Sequence, residues 1–155
     1  MDTVRVKAYA KINLTLSVTG VKDGYHMLDS IVTSVDLYDA VKVKKRRDGL
    51  VSVTMRGCGS ENIPFGSNNA VKAAQAFIEK YSTRGADITV NKNIPVGAGL
   101  GGSSADAAGV LLALARLYDV RDTAGIFSND KALSALCPYI EIPFTALPAK
   151  EYDSS

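Results

Sequence analysis

The chain has 155 residues, 46% of them hydrophobic, and 18 Lys and Arg against 16 Asp and Glu give a formal charge of +2. That length supports one domain with a core of its own. Near-neutrality removes the electrostatic case for nucleic acid or an anionic membrane surface as partner.

The longest apolar run, residues 107–114, is far short of the ~20 residues that span a bilayer. The first residues do not read as a signal peptide. Cys58 and Cys137 are distant and match no metal spacing, which suits a cytoplasmic chain with free thiols.

Residues 4–18 alternate, with Val4, Val6 and Ala8 followed by Ile12, Leu14, Leu16 and Val18. Period two predicts a strand, bent near Ala10-Lys11. Lys11 and Asn13 fall between the apolar positions and share one face, where such residues are usually just solvated. An Asp23-Gly24 turn leads to Tyr25-His26. That pair sets a flat ring beside a hydrogen-bonding ring, a device suited to stacking on a nucleobase and reading it. A lone histidine such as His26 is also commonly structural or simply exposed.

Residues 31–43 alternate again, with a turn expected at residues 36–39. Lys42, Lys44, Lys45, Arg46 and Arg47 run into Asp48-Gly49, a strong hairpin signal. Residues 50–55 are therefore expected as the return strand. The lysines are expected on a solvated, protected edge, since no aromatics interleave them as a nucleic-acid surface would want. Residues 56–66 are turn-rich loop.

Asn68 is placed to cap a helix reaching Tyr81, whose apolar face is Val71, Ala74, Phe77, Ile78 and Tyr81. Residues 86–91 alternate as a strand, and Lys92 follows. The stretch of residues 93–106 then carries Pro95, Gly97, Ala98, Gly99, Leu100, Gly101, Gly102, Ser103 and Ser104. Glycines let backbone amides approach a ligand closely. Ser103 or Ser104 is a natural N-cap for a helix to residue 117, and the free N–H groups at a helix start form an anion site. The order strand, loop, cap, helix predicts a phosphate cradle; the plain alternative is a flexible turn before an ordinary cap.

A P-loop is excluded, because Gly102 is followed by Ser103 and not by Lys. Gly97-x-Gly99-x-x-Gly102 fits the dinucleotide fingerprint, with Asp119 at the ribose distance. No second strand fits between Gly102 and Asp119, however, and Pro95 interrupts the approach. Farther on, a short helix is expected over residues 130–136, before Cys137-Pro138-Tyr139-Ile140-Glu141-Ile142-Pro143-Phe144.

Pro95-x-x-x-Gly99-Leu100-Gly101, followed by Ser103-Ser104-Ala105, resembles the phosphate loop of the GHMP kinases, a family of ATP-dependent small-molecule kinases. Ala10-Lys11-Ile12-Asn13-Leu14, followed by Gly20-x-x-Asp23-Gly24-Tyr25-His26, resembles the opening of the 4-diphosphocytidyl-2-C-methyl-D-erythritol kinases. These are GHMP members of the non-mevalonate route to isoprenoid precursors.

The resemblance runs from about Val4 to Phe144. It implies an α+β fold, ribosomal protein S5 domain 2-like, with a mixed sheet and helices packed on it. It implies that residues 97–104, with Pro95, hold the β- and γ-phosphates of ATP, with Mg2+ bound to those phosphates. Asn68 and Lys92 would lie near the nucleotide. Tyr25 and His26 would hold the cytosine, while Lys11 and Asn13 would act at the acceptor.

The family pattern Gly-x-Asp-Val/Ile-Pro-Phe stands here with Tyr139 for the glycine and Glu141 for the aspartate that works with the early lysine. Glu141 is thus the expected catalytic carboxylate, one methylene longer. Residues 145–155 depart from the family. Residues 1–144 are therefore expected to be the N-terminal, ATP-binding domain, with residues 145–155 an unrelated or disordered tail and the C-terminal domain absent. An apolar face left by that domain should be covered by a homodimer. Two alternatives stand beside the kinase: an inactive kinase-like domain that binds nucleotide or a partner, and a GHMP kinase with another acceptor.

Overall fold

The structure, a computed structural model, describes residues 1–57 and 59–121. Cys58, Cys137, Glu141 and residues 145–155 lie outside the described residues, and so do the expectations placed on them.

Among the described residues, four strands and two longer helices follow in the order β1 (Thr3–Lys22), β2 (Tyr25–Lys45), β3 (Val51–Gly57), α1 (Asn69–Tyr81), β4 (Ala86–Lys92) and α2 (Gly102–Leu117). Short 3-10 turns at Ser60–Asn62 and Phe65–Ser67 lead into α1. The strands form one mixed sheet, ordered β1-β2-β4-β3, in which β3 and β4 run parallel and the other pairs antiparallel. This is the mixed sheet with packed helices expected of an α+β domain.

The register explains the core. Val4 pairs with Val43 and Val6 with Val41; these continue across the sheet to Ile88 and Val90, and then to Val53 and Met55. Cross-strand partners share a face, so one face is apolar, and β1, β2 and β4 supply its fully buried positions. The opposite face carries Arg5, Lys42 and Thr89 in register and is open. Phe77 of α1 and Leu111 and Leu114 of α2 complete the core. At Gly109, α2 comes so close to the sheet that a Cβ would lie 3.1 Å from Val41 Cγ2 and 3.4 Å from Ala8 Cβ.

Four sequence expectations are corrected. Residues 36–39 do not turn: β2 runs straight through them, because Tyr38 pairs with Tyr9 and Asp39 with Ala8. Asp48-Gly49 does turn the chain, but β3 does not return beside β2. Helix α1 carries the chain over, β4 takes that place, and β3 pairs with β4 instead. Lys42 and Lys44 therefore sit on the open face of an interior strand, and not on an edge. Finally, neither serine caps α2. The N-cap is Gly101 in the left-handed region, with no side-chain hydrogen bond, because a backbone arriving at φ 75° suits glycine and not serine.

The expected bend in β1 is a register shift between Tyr9 and Lys11, and two more follow at Asn13/Thr15 and Val18/Gly20. Beyond the first, β1 and β2 leave the helices and continue as a two-stranded arm. Leu14 (60%), Leu16 (55%), Val18 (61%) and Ile31 (59%) are exposed along it.

Candidate functional site

The glycine loop joins β4 to α2. It opens on Asn93 and Ile94, whose backbone N–H groups donate to Asp39 Oδ1 at 2.6 and 2.8 Å. Ile94 is fully buried, while residues 95–99 are exposed. Gly97, Gly99 and Gly101 all adopt φ near +75°. A side chain at Gly97 or Gly99 would meet nothing within 4 Å, so backbone conformation is what demands glycine there. At those two positions nothing crowds the backbone, which favours close approach by an anion.

Helix α2 begins at once. Its first intrahelical bond is Ala105 N–H to Gly101 O at 2.9 Å. The N–H groups of Gly102, Ser103 and Ser104 precede that bond and lack intrahelical acceptors, as at every helix start, and they carry the positive end of the helix dipole.

Lys11 is folded onto this loop. Its backbone N–H donates to Leu100 O at 3.0 Å, and its Nζ donates to Gly99 O at 3.2 Å and to Asn13 Oδ1 at 3.0 Å. Its stem covers Gly101, where a Cβ would come within 3.0 Å of Lys11 Cγ. The β1 bulge at this point re-aims the side chain, a common use of bulges beside sites. On the side of α1, Asn69 Nδ2 donates to Ser103 Oγ at 2.8 Å.

Below the loop lies a buried ionic cluster. Lys92 Nζ donates to Asp39 Oδ2 and, at 2.7 Å, to Asp106 Oδ2. Asp39 is 0%, Asp106 2% and Lys92 4% exposed. Burial pushes the Asp106 carboxyl up to about 8, against the pull of Lys92 and with repulsion from Asp39 adding to it. Burial alone would lower the Lys92 pKa, but Asp106 and Asp39 hold it above the ordinary value.

The structure thus brings together Lys11, Asn13, residues 97–104 and Asn69. Tyr25 and His26 are not among them. They pair with Lys22 and Val21 at the tip of the arm, about 35 Å of extended chain from Lys11 at ~3.3 Å per residue. Tyr25 is 72% exposed there. Asn68 is buried and spends its side chain on the cap, accepting from Ala70 N–H at 2.9 Å. Its neighbour Asn69 is the asparagine that reaches the loop. Lys92 shows its amine to two carboxylates and not to solvent.

Asp39, Asp106 and Asn69 escaped the sequence reading. A signal for the first two existed: Asp39 shares the apolar phase of Val41 and Val43, and Asp106 stands within a run of buried alanines. Lys92 likewise sits in phase with Ile88 and Val90. Charges of both signs at core-facing positions are candidates for one buried cluster.

The family described as "GHMP kinases N terminal domain" matches residues 68–144. A 4-diphosphocytidyl-2-C-methyl-D-erythritol kinase of Clostridium beijerinckii is 43% identical over 120 residues, covering 76% of this chain and 41% of that protein. Its counterpart in Clostridium botulinum is 41% identical over 146 residues, covering 92% of this chain and 51% of that protein. Among solved structures, a 4-(cytidine 5'-diphospho)-2C-methyl-D-erythritol kinase superposes with TM-score 0.65 at 35% identity, covering 85% of this chain and 45% of that one. A homoserine kinase from Cytophaga hutchinsonii, at TM-score 0.66 and 20% identity over 94% of this chain and 42% of its own, shares the fold. The chain spans about half the length of the curated relatives it matches.

Proposed function

Because the chain belongs to the GHMP kinases, we propose that it is the nucleotide-phosphate half of a 4-diphosphocytidyl-2-C-methyl-D-erythritol kinase, phosphorylating a hydroxyl of that substrate at the expense of ATP. The observation that carries this reading is Lys11 held against Gly99 and Gly101, at the mouth of a loop with three left-handed glycines and an open helix start. Phosphoryl transfer asks a protein mainly for positioning and for stabilisation of charge. The loop amides and the start of α2 offer both to phosphate oxygens.

Lys11 places a cation between the loop and Asn13, where an acceptor oxygen would approach the terminal phosphate. Asn69 orients the Ser103 hydroxyl at the loop's far side. The exposed, unobstructed glycine ribbon fits a polyphosphate. Mg2+ would arrive on the phosphates and supply charge neutralisation there. Glu141 is the carboxylate proposed to take the acceptor proton. Tyr25 and His26 are proposed for the cytosine, on an arm whose bulges let it bend. Among the described residues no helix is long and apolar enough to cross a membrane; a cytoplasmic location is part of this proposal.

Thermal-shift titration tests it. A ligand that binds the native state raises the melting temperature by mass action. Stabilisation by Mg-ATP and, separately, by the cytidine-diphosphate substrate is expected. Stabilisation by neither would end the kinase reading for this chain. The exposure of Tyr25 on the arm favours a second reading, a domain that binds nucleotide and transfers nothing; stabilisation by Mg-ATP alone is its signature.

A further inference from the structure

We propose that Asp39, Lys92 and Asp106 form a buried positioning triad that ties both ends of the glycine loop to the sheet and tunes the loop's affinity for phosphate. The tuning half rests on the phosphate-loop reading above; the tying half does not.

The geometry is specific. Asp39, on β2, spends Oδ1 on two consecutive backbone amides, Asn93 and Ile94, which are the first residues of the loop. Its Oδ2 accepts from Lys92, the last residue of β4. The same ammonium reaches Asp106 Oδ2 in the first turns of α2, just past the loop's other end. Lys92 Nζ also lies only 3.2 Å from where a Cβ of Gly102 would stand, so the charge sits directly against the first residue of α2. One lysine and two carboxylates thus connect three elements around a loop whose residues 95–99 are exposed.

An ionic cluster that merely filled the core would not need both loop ends. It would also be an expensive filler, since burying charges is repaid only when geometry and hydrogen bonds are good. Here one atom is left over: Asp106 Oδ1 is buried and has no hydrogen-bond partner among the described residues. A protonated Asp106 resolves the charge count, leaving one cation against one anion. With its carboxyl titrating at about 8, Asp106 holds that proton at neutral pH.

The groups facing it are Lys92 from β4 and Asp39 from β2. From β1, Lys11 packs on Gly101, and α1 contributes the neutral Asn69 near the helix start. When Asp106 ionises, a negative charge appears beneath the helix start that is proposed to bind phosphate. Anion affinity must then fall as pH rises.

The test uses the full chain and Mg-ATP as the probe, titrated calorimetrically between pH 7 and 9.5. Wild type is expected to lose roughly tenfold in affinity across that range, from a like charge added at short distance in a partly screened site. Asp106→Asn, which cannot ionise, is expected to bind with a flat profile. Asp39→Asn is expected to weaken binding about tenfold, the scale of losing a charge-assisted hydrogen bond, and to move the decline to lower pH, since Asp39 helps to hold the Asp106 proton. A cluster with only a structural role would lower the melting temperature of Asp106→Asn and leave the pH slope of binding unchanged, and that result overturns the tuning.

If wild type binds no Mg-ATP, the phosphate reading fails and the tuning fails with it. The tying is then decided by hydrogen exchange in the wild-type chain, which needs no variant to fold. Asn93 and Ile94 amides are expected to exchange at least roughly a hundredfold more slowly than in an unstructured chain. Exchange at the unstructured rate overturns the triad.

Discussion

Lys11 and Lys92 both reach the glycine loop, yet they do different work because of where their strands leave them. Lys11 follows a bulge, so its amine emerges beside Gly99 and Asn13 and remains available to a ligand. Lys92 ends a strand in the buried phase and has carboxylates as its partners. Removing one member of a buried ion cluster strands the others. Lys92→Met is expected to lose about 3–5 kcal/mol of stability at pH 8, measured by urea titration, with a smaller loss at pH 5, where Asp106 is already neutral.

The wild-type pH profile has a definite sign. Asp106 binds a proton more tightly folded than unfolded, so the native state holds more protons between the ordinary carboxylate range and about 8. Its contribution to stability therefore declines as pH rises through that window and is constant above it. Asp106→Asn should remove this decline, as read from melting temperatures between pH 4 and 9. A different outcome is expected at the phosphate side. Asn69→Ala should leave the fold near wild type, because the cap belongs to Asn68, and should weaken Mg-ATP binding several-fold through the loss of the Ser103 contact, a net hydrogen bond of about 1 kcal/mol.

Lys11, Asn13 and the glycines were legible in the sequence because their chemistry is local and their spacing unusual. Asp39 was not: it lies 53 residues from Lys92 in the chain, and its composition suggested a turn. Only the pairing of Tyr38 and Asp39 with β1 shows that the strand continues through that position.

Among the elements, β3 shows how far a local signal reaches. Asp48-Gly49 turns the chain, and Asp48 Oδ1 accepts from Leu50 N–H at 3.2 Å, but neither fact chooses the strand beside β2. That choice is made by α1, which carries the chain across to insert β4. The insertion depends on close backbone contact at Gly85, whose N–H donates to Asp48 O at 2.6 Å. A Cβ at Gly85 would stand 1.9 Å from Leu50 O. Gly85→Ala must therefore push β3 away from β4. The expected loss is well above the ~1 kcal/mol of an average substitution, with hydrogen-exchange protection lost first at Val53 and Met55. Elements whose existence depends on periodicity, such as β1, α1, β4 and α2, could be read in advance; the order of strands could not, since it is set by contacts between distant segments. The start of α2 also differs from expectation, by two or three residues, where glycine conformation replaced the expected serine cap.

For the whole molecule, the arm is the feature that asks for a partner. Leu14, Leu16, Val18 and Ile31 are more than half exposed on a hairpin that nothing in the described residues covers. Leu16 and Val18 share one face with Leu28, whereas Ile31 pairs with Thr15 on the other; exposed apolar clusters of this kind are uncommon on monomers. The sequence placed a homodimer on the face left by a missing domain; we propose that the arm carries it, and sedimentation velocity should show a sedimentation coefficient that rises with concentration. Leu16→Glu combined with Val18→Lys should abolish that rise while leaving the melting temperature of the core within a few degrees. A wild-type chain that sediments as a monomer at every concentration would count against the dimer.

The parallel pairing of β3 with β4 also orders events in time. β1, β2 and β3 precede β4 in the chain, and before β4 is in place the Asp48-Gly49 turn invites β3 to zip onto β2 as a simple hairpin. That slot belongs to β4. A chain that accepts the invitation must unzip before β4 can enter, whereas one that waits exposes the apolar faces of β2 and β3 until α1 is complete. Non-local pairing of this sort is slow because the loop must close before any contact rewards it. Refolding of the isolated chain is therefore expected to show a slow phase that a slippery local hairpin lengthens, and Asp48→Lys, which weakens the turn, should shorten it even as it lowers the final stability.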